Sequence, residues 1–188
     1  QPQIQRVGER GTASGVAVDL LAKIVTITNA FGNLEPHTVA RAIGRKAKEA
    51  LLPYTFDSPP TTRVNGMVDY SKGGNNTDLH FEVAGGPFHW RSFHLDQIMG
   101  NIDWVRRSLT LTNVSGQAHG GRVAGHAHFD FVPSNSTVFA FQTTAAGVDL
   151  NAFILSYFQR SNKLEGRFSG ELIVTNALIG QTNSWFGY

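Results

Sequence analysis

Residues 108–132, SLTLTNVSGQAHGGRVAGHAHFDFV, decide the fold that this sequence predicts. Leu109 and Leu111 alternate with threonines, and this period of two is typical of a half-buried β-strand. Residues 113–121 are rich in Gly, Ser, Asn and Gln, which favours a turn. Apolar and polar residues then alternate again as far as Phe131. The stretch therefore predicts two antiparallel strands, each with one apolar and one polar face.

Two short phrases recur along the chain. The first is Thr-Asn after an alternating strand, at residues 28–29, 112–113 and 175–176. We interpret it as a strand end, because Asn tolerates the left-handed backbone of a turn. The second is a glycine just inside a strand start, at Gly66, Gly125 and Gly166. The copies are unevenly spaced, which indicates a degenerate array of strands rather than a strict solenoid.

The composition narrows the classes of function. Of the 188 residues, 41% are hydrophobic, only 16% are charged and 13 are Phe, which is typical of a β-rich protein with much apolar surface to place. There is no Cys, so disulfides and Cys-based metal sites are excluded. A net charge of +2 does not support nucleic-acid binding, which needs a concentrated basic face. No stretch approaches the ~20 apolar residues of a membrane-spanning helix.

The sequence predicts three regions. Residues 1–15 are a polar N-terminal tail that need not be ordered. Residues 16–62 hold a strand pair, a helical segment that starts near Leu34, and a Pro-rich connector. Residues 63–188 form an antiparallel β repeat region with strands at 63–70, 77–84, 88–95, 98–105 and 137–145, and with a last strand at 164–175. Asp149 is expected to cap a short helix. We expect both ends of the chain to be cut points within a longer protein.

The fold class expected is mainly β: an elongated, curved antiparallel sheet with two or three short helices. So few helices cannot cover the apolar face of roughly ten strands. The sheet either curls into a trough or closes as a β-sandwich. For a trough, the apolar lining predicted from the alternation is Leu79, Phe81, Val83, Leu109, Leu111, Val123, Phe129, Phe131, Phe139, Phe141, Leu164, Phe168, Leu172 and Val174.

Three motifs point to a family. They are Leu109-x-Leu111-x-Asn113-Val114, Gly120-Gly121-Arg122-Val123-x-Gly125-x-Ala127-x-Phe129, and Gly147-Val148-Asp149-Leu150 followed by Leu164-x-Gly166-x-Phe168-x-Gly170-x-Leu172. Together they resemble the C-terminal repeat region of the AsmA-like superfamily, which includes the TamB-type envelope biogenesis proteins. The resemblance covers most of the chain from about Val64 onward, and residues 24–56 fit the segment that precedes such a repeat.

The resemblance implies a long protein that is anchored in the inner membrane of a diderm bacterium and extends through the periplasm. It implies a non-catalytic apolar groove for phospholipid transport or outer-membrane assembly. The expected partners are phospholipid acyl chains and other envelope-assembly proteins, with membrane contact through parts outside this chain and no nucleic acid. Burial of an acyl chain releases ~0.8 kcal/mol per CH₂, so the function requires no catalytic residue, cofactor or metal.

Two alternatives stay open from the sequence alone. One is a closed β-sandwich that binds carbohydrate or protein. The other is a metal-dependent enzyme built around His126 and His128, which point the same way from one strand about 7 Å apart. Asp130 adds a carboxylate to that face, and His119 or His80 are candidates to complete the three or four ligands that zinc needs.

Overall fold

A ten-stranded antiparallel sheet dominates the computed structural model. The structure describes residues 3–6, 9–33, 35–38, 48, 52, 54–71, 76–90, 93–131, 137–158 and 164–178. The large sheet has the strand order β1-β2-β3-β5-β6-β9-β10-β11-β12-β13, and a small sheet has the order β4-β7-β8. The mainly β class and the antiparallel sheet predicted from the alternation are therefore confirmed.

The strands follow the order of the chain almost without exception. They are β1 Gln3–Arg6, β2 Glu9–Asp19, β3 Ile24–Gly32, β4 Tyr54–Phe56, β5 Thr61–Asp69, β6 Asp78–Gly85, β7 Phe88–Trp90, β8 Phe93–Leu95, β9 Gln97–Val105, β10 Ser108–Ala118, β11 Gly121–Phe131, β12 Thr137–Asp149 and β13 Arg167–Leu178. Within the described residues β1 and β13 do not pair with each other, so the large sheet is open at both edges.

Two parts of the sequence form strands that the sequence analysis did not predict. Residues 1–15 were predicted to be a polar tail, but β1 and the first half of β2 lie there and pair with each other. The Pro-rich connector contains β4. Both predictions were wrong for the same reason: backbone hydrogen bonds to a neighbouring strand suffice for pairing, even where side chains show no clear alternation.

The predicted single strand at 88–95 is a hairpin. β7 and β8 pair antiparallel, with Phe88 opposite Leu95 and His89 opposite His94. β4 adds on the other side of β7 and completes the small sheet. The apolar positions change from even (Phe88, Trp90) to odd (Phe93, Leu95) across Arg91 and Ser92, and the sequence analysis did not use this break in the alternation as a sign of chain reversal.

The described helix, α1, spans Leu150–Phe158. The side chain of Asp149 accepts a hydrogen bond of 2.8 Å from the backbone N–H of Ala152, so the predicted cap is confirmed. Upstream, residues 36–38 are helical, and the Glu35 carboxylate accepts hydrogen bonds from the backbone N–H groups of His37 and Thr38. Most of the helical segment predicted after Leu34 lies outside the described residues.

The Thr-Asn phrases are β-bulges, not strand ends. β10 continues through Thr112 and Asn113 to Ala118, and the bulge lies where Leu111 opposes Ala127 but Val114 opposes Gly125. The only turn residues before β11 are His119 and Gly120, both with positive φ, as a two-residue hairpin of this kind requires. The turn predicted at 113–121 was therefore much too long.

Beyond each bulge, the residues that face one side of the sheet change from odd to even positions, or from even to odd. In β10 the odd positions Leu109 and Leu111 share a face with the even positions that begin at Val114, because one extra residue lies between them. Bulges at the Thr-Asn phrases of β3 and β13, and one at Gly147 in β12, have the same effect. Asn113 and Asn176 adopt positive φ (52° and 53°), which explains the choice of Asn at these two bulges.

Glycines lie beside the bulge of β10 on both neighbouring strands. A Cβ on Gly100 of β9 would lie 3.2 Å from the Val114 Cα. A Cβ on Gly125 of β11 would lie 2.2 Å from the Gln142 carbonyl oxygen, which is far inside van der Waals contact. At Gly66 and Gly125 the recurrent glycine therefore serves close approach of two strand backbones, whereas a Cβ on Gly166 would meet nothing within 4 Å.

We expect Gly125→Ala to lower the free energy of unfolding by about 2 kcal/mol, because the added methyl group must displace backbone. Gly170→Ala is the matched control, since a Cβ at that strand position meets nothing within 4 Å, and it should change stability by less than about 0.5 kcal/mol. Urea unfolding followed by circular dichroism measures both. Equal midpoints for the two variants would contradict the close approach.

The left-handed backbone of the β10 bulge gives a second prediction. Asn113→Val should cost about 1–2 kcal/mol, because a β-branched residue tolerates positive φ poorly. Asn113→Gly should change stability by less than about 1 kcal/mol, since glycine adopts this conformation freely. If Val and Gly are tolerated equally in thermal or urea unfolding, Asn113 does not hold the bulge.

Candidate functional site

The strand register assembles one continuous apolar surface across the large sheet. Directly opposed residues lie on the same side of a sheet. One row consists of Leu79, Trp104, Leu109, Phe129, Phe139 and Ala177, and the next row consists of Phe81, Ile102, Leu111, Ala127, Phe141 and Val174. We call this surface the apolar face and the opposite surface the polar face.

The apolar face contains all the lining residues predicted from sequence except Leu164. Leu164 was predicted to begin the last strand, but β13 begins at Arg167, so Leu164 lies outside the sheet. It is 50% exposed. The prediction failed because the alternating pattern extends upstream of the first residue that pairs with β12.

Several residues of the apolar face were missed. Ile102 and Trp104 of β9 complete the rows between β6 and β10, and Val64 of β5 and Ile27 of β3 extend the surface toward β2. The signal in β9 was the alternation of residues 98, 100, 102 and 104. Met99 obscured it, since this exposed apolar side chain lies on the polar face of the same strand.

Stacked phenylalanine rings form the apolar face over β11 and β12. The ring centroids of Phe129 and Phe139 are 5.9 Å apart, and those of Phe139 and Phe141 are 6.1 Å apart with nearly parallel planes. Val174 and Ala177 of β13 belong to the same cluster, whose members among the described residues lie on three adjacent strands of one sheet. Phe139, Val174 and Ala177 are buried. Phe129 and Phe141 stay half-buried.

One end of the apolar face, near the β10–β11 turn, is covered. Phe88 and Leu95 of the small sheet pack on Ala118, Ile98 and Val123. Gly116 makes this approach possible, since a Cβ there would lie 3.2 Å from a methyl carbon of Leu95.

The helix α1 packs at the same end. The ring of Phe153 in α1 makes edge-to-face contacts with two rings: that of His119 in the β10–β11 turn and that of Phe168 in β13. Val123 and Phe168, two of the predicted lining residues, therefore lie under protein.

The polar face holds a cluster of His and Asp residues on neighbouring strands. His80 Nδ1 lies 2.5 Å from Asp103 Oδ1, and His80 Nε2 lies 3.1 Å from Asp78 Oδ1. The hydrogen bond with Asp103, together with the negative charges of both carboxylates, raises the pKa of His80 above its ordinary value, although burial opposes the shift.

The predicted metal site at His126 and His128 is not assembled. His128 contacts Thr110 and Ser108 on β10 and lies 3.2 Å from Asp130. Among the described residues no group of three or more His, Cys, Asp or Glu is placed to hold a metal ion. His80 lies on β6, which is separated from β11 by the two strands β9 and β10, so it does not join them.

The comparisons with known proteins identify no relative. No protein-family model, no curated protein and no solved structure matches this chain. In the part of the chain that the structure describes, no helix has the length and apolar character needed to cross a membrane.

The His80 cluster gives a prediction for pH. Because folding raises the pKa of His80, its protonated form stabilises the fold fully below pH ~6.5, and this contribution is lost as the pH rises through the higher folded pKa. An NMR titration of the imidazole should give a midpoint above ~6.5. Asp103→Asn should lower that midpoint. An unchanged midpoint in Asp103→Asn would exclude Asp103 as the main cause.

Proposed function

We propose that the apolar face binds acyl chains, and that this chain is a lipid-handling module of a bacterial envelope protein of the AsmA-like kind. The observation that carries the proposal is the unbroken run of apolar side chains across the large sheet, with half-buried rings at its centre. Soluble proteins rarely expose contiguous apolar patches beyond a few hundred Å² without a binding role.

The energetics favour a lipid over a polar ligand. An acyl chain gains ~0.8 kcal/mol for each CH₂ removed from water, and the apolar face offers aliphatic and aromatic contacts in rows without requiring directional hydrogen bonds. The polar face of the same strands is rich in His, Asp, Ser and Thr. A sheet with such a division presents one face to water and the other to an apolar partner.

The trough form of the sheet belongs to this proposal. Bulges bend strands and increase their twist, and four strands of the large sheet carry them. In a trough, the small sheet and α1 would close one rim, while the half-buried side chains of Phe81, Phe129 and Phe141 would remain within reach of a ligand. The periplasm, an inner-membrane anchor outside this chain and partners in outer-membrane assembly complete the proposal.

A closed β-sandwich that binds carbohydrate or protein is the second candidate. The small sheet favours it, since Phe88 and Leu95 form a second layer over one end of the apolar face. Under this reading the rows near Phe129 form part of a core, and acyl chains have no surface to bind.

Two adjacent residues of β13 test the proposal as a matched pair. Leu172 lies on the apolar face opposite Thr143, and Ile173 lies on the polar face opposite Gln142. Their exposures are nearly equal, at 54% and 56%, so neither substitution to Glu buries a charge in the protein. We expect Leu172→Glu to weaken binding of a phospholipid with a fluorescent acyl chain by about tenfold or more, equivalent to ~1.4 kcal/mol.

Ile173→Glu should bind the labelled phospholipid as well as the unmodified chain, and circular dichroism should show the same β content for all three proteins. Phe129→Glu, in the centre of the apolar face, should abolish binding while His126→Glu on the opposite side of β11 should not. Absence of lipid binding by the unmodified chain, or equal losses in Leu172→Glu and Ile173→Glu, would contradict the proposal and favour the closed sandwich.

A further inference from the structure

We propose that His89 and His94 of the small sheet bind a first-row divalent transition metal through their Nδ1 atoms. The two residues face each other across β7 and β8. Their Nδ1 atoms lie 3.2 Å apart, and the ring planes are inclined by 46°. This site is separate from the apolar face and does not depend on the proposed lipid function.

The separation of the two nitrogens matches a shared metal ion. With metal–nitrogen bonds of about 2.0–2.1 Å, two imidazole ligands of a tetrahedral ion lie ~3.3 Å apart. Two neighbouring ligands of a square-planar ion lie ~2.9 Å apart at similar bond lengths. The observed distance falls between these values, so the ligands need little movement for either geometry.

The second nitrogen of each ring contacts a carboxylate. His89 Nε2 lies 3.0 Å from Asp57 Oδ1, and His94 Nε2 lies 3.3 Å from Asp96 Oδ1. Metal-binding histidines characteristically donate the N–H of the other ring nitrogen to a carboxylate, which fixes the tautomer and orients the ring. In this tautomer each ring has an unprotonated Nδ1, and the two Nδ1 atoms lie near enough to share one metal ion.

The backbone holds both carboxylates in place. The N–H of Asp57 donates to the Pro87 carbonyl at 3.0 Å, and the N–H of Asp96 donates to the Gln117 carbonyl at 2.7 Å. Asp57 follows β4 and Asp96 precedes β9, so the two come from opposite sides of the β7–β8 hairpin. Their two negative charges also balance the two positive charges of the ion.

The ligand set indicates the class of metal. Imidazole nitrogens suit Zn²⁺, Ni²⁺ and Cu²⁺, whereas Ca²⁺ and Mg²⁺ prefer oxygen ligands. Two protein ligands leave the remaining positions to water, in agreement with the finding that the described residues contain no cluster of three ligating side chains. Cu²⁺ is the best probe, since it binds nitrogen ligands most tightly in the divalent series.

Calorimetric titration of the whole chain with Cu²⁺ tests the site. We expect binding of one ion that is lost in His89→Ala and in His94→Ala, and weakened ~10-fold or more in Asp57→Asn. His126→Ala, on the polar face of the large sheet, is the control and should bind Cu²⁺ like the unmodified chain. Mg²⁺ should not compete.

Two spectroscopic measurements on the unmodified chain keep the test independent of how the variants fold. Electron paramagnetic resonance of the Cu²⁺ complex should show hyperfine coupling to two nitrogens. Paramagnetic broadening of NMR signals should appear first in β7 and β8. Broadening centred on His126 and His128, or Cu²⁺ uptake unaffected by His89→Ala, would overturn the proposal and leave the pair as an imidazole–imidazole hydrogen bond.

Discussion

The β-bulges keep most of the apolar side chains of a long strand on one side of the sheet. A strand with strict alternation and no bulge would turn Val114 and the residues after it toward water. The extra residue at Asn113 shifts the alternation of side chains by one position, so that Val114 faces the same side as Leu111. Bulges in β3, β12 and β13 act in the same way. The continuity of the apolar face depends on these bulges, and so does any function that uses the face.

Glycine residues make the bulges compatible with close pairing of the strands. Gly100 allows β9 to approach the bulged part of β10, and Gly125 of β11 allows close approach of β12, where a methyl group would collide with the Gln142 carbonyl oxygen. The same property acts at Gly116, where the small sheet approaches the large one. A surface interrupted by glycines is less apolar per unit area than one of Phe and Leu. The rings are accordingly concentrated in the rows through Leu109 and Leu111, away from the small sheet.

The small sheet and α1 give the two ends of the apolar face different characters. Near the β10–β11 turn the face is covered by Phe88, Leu95 and Phe153, whereas the stacked rings of Phe129 and Phe139 pack, among the described residues, with other residues of the large sheet. The small sheet also carries the His89–His94 pair on the side away from Phe88 and Leu95, since side chains alternate along a strand.

The sequence alone determined the β class, the alternation of β11, the cap of α1 at Asp149 and many residues of the apolar face, because these depend on local period and on interactions within a few residues. Tertiary structure decided the rest. Thr112-Asn113 is compatible with a turn or a bulge, and only pairing on both sides of β10 selects the bulge. His89 and His94 meet because the chain reverses between β7 and β8. The apolar positions do change from even (Phe88, Trp90) to odd (Phe93, Leu95) across Arg91 and Ser92. A bulge within one strand produces the same change, so the pattern alone did not decide between a bulge and a reversal of the chain.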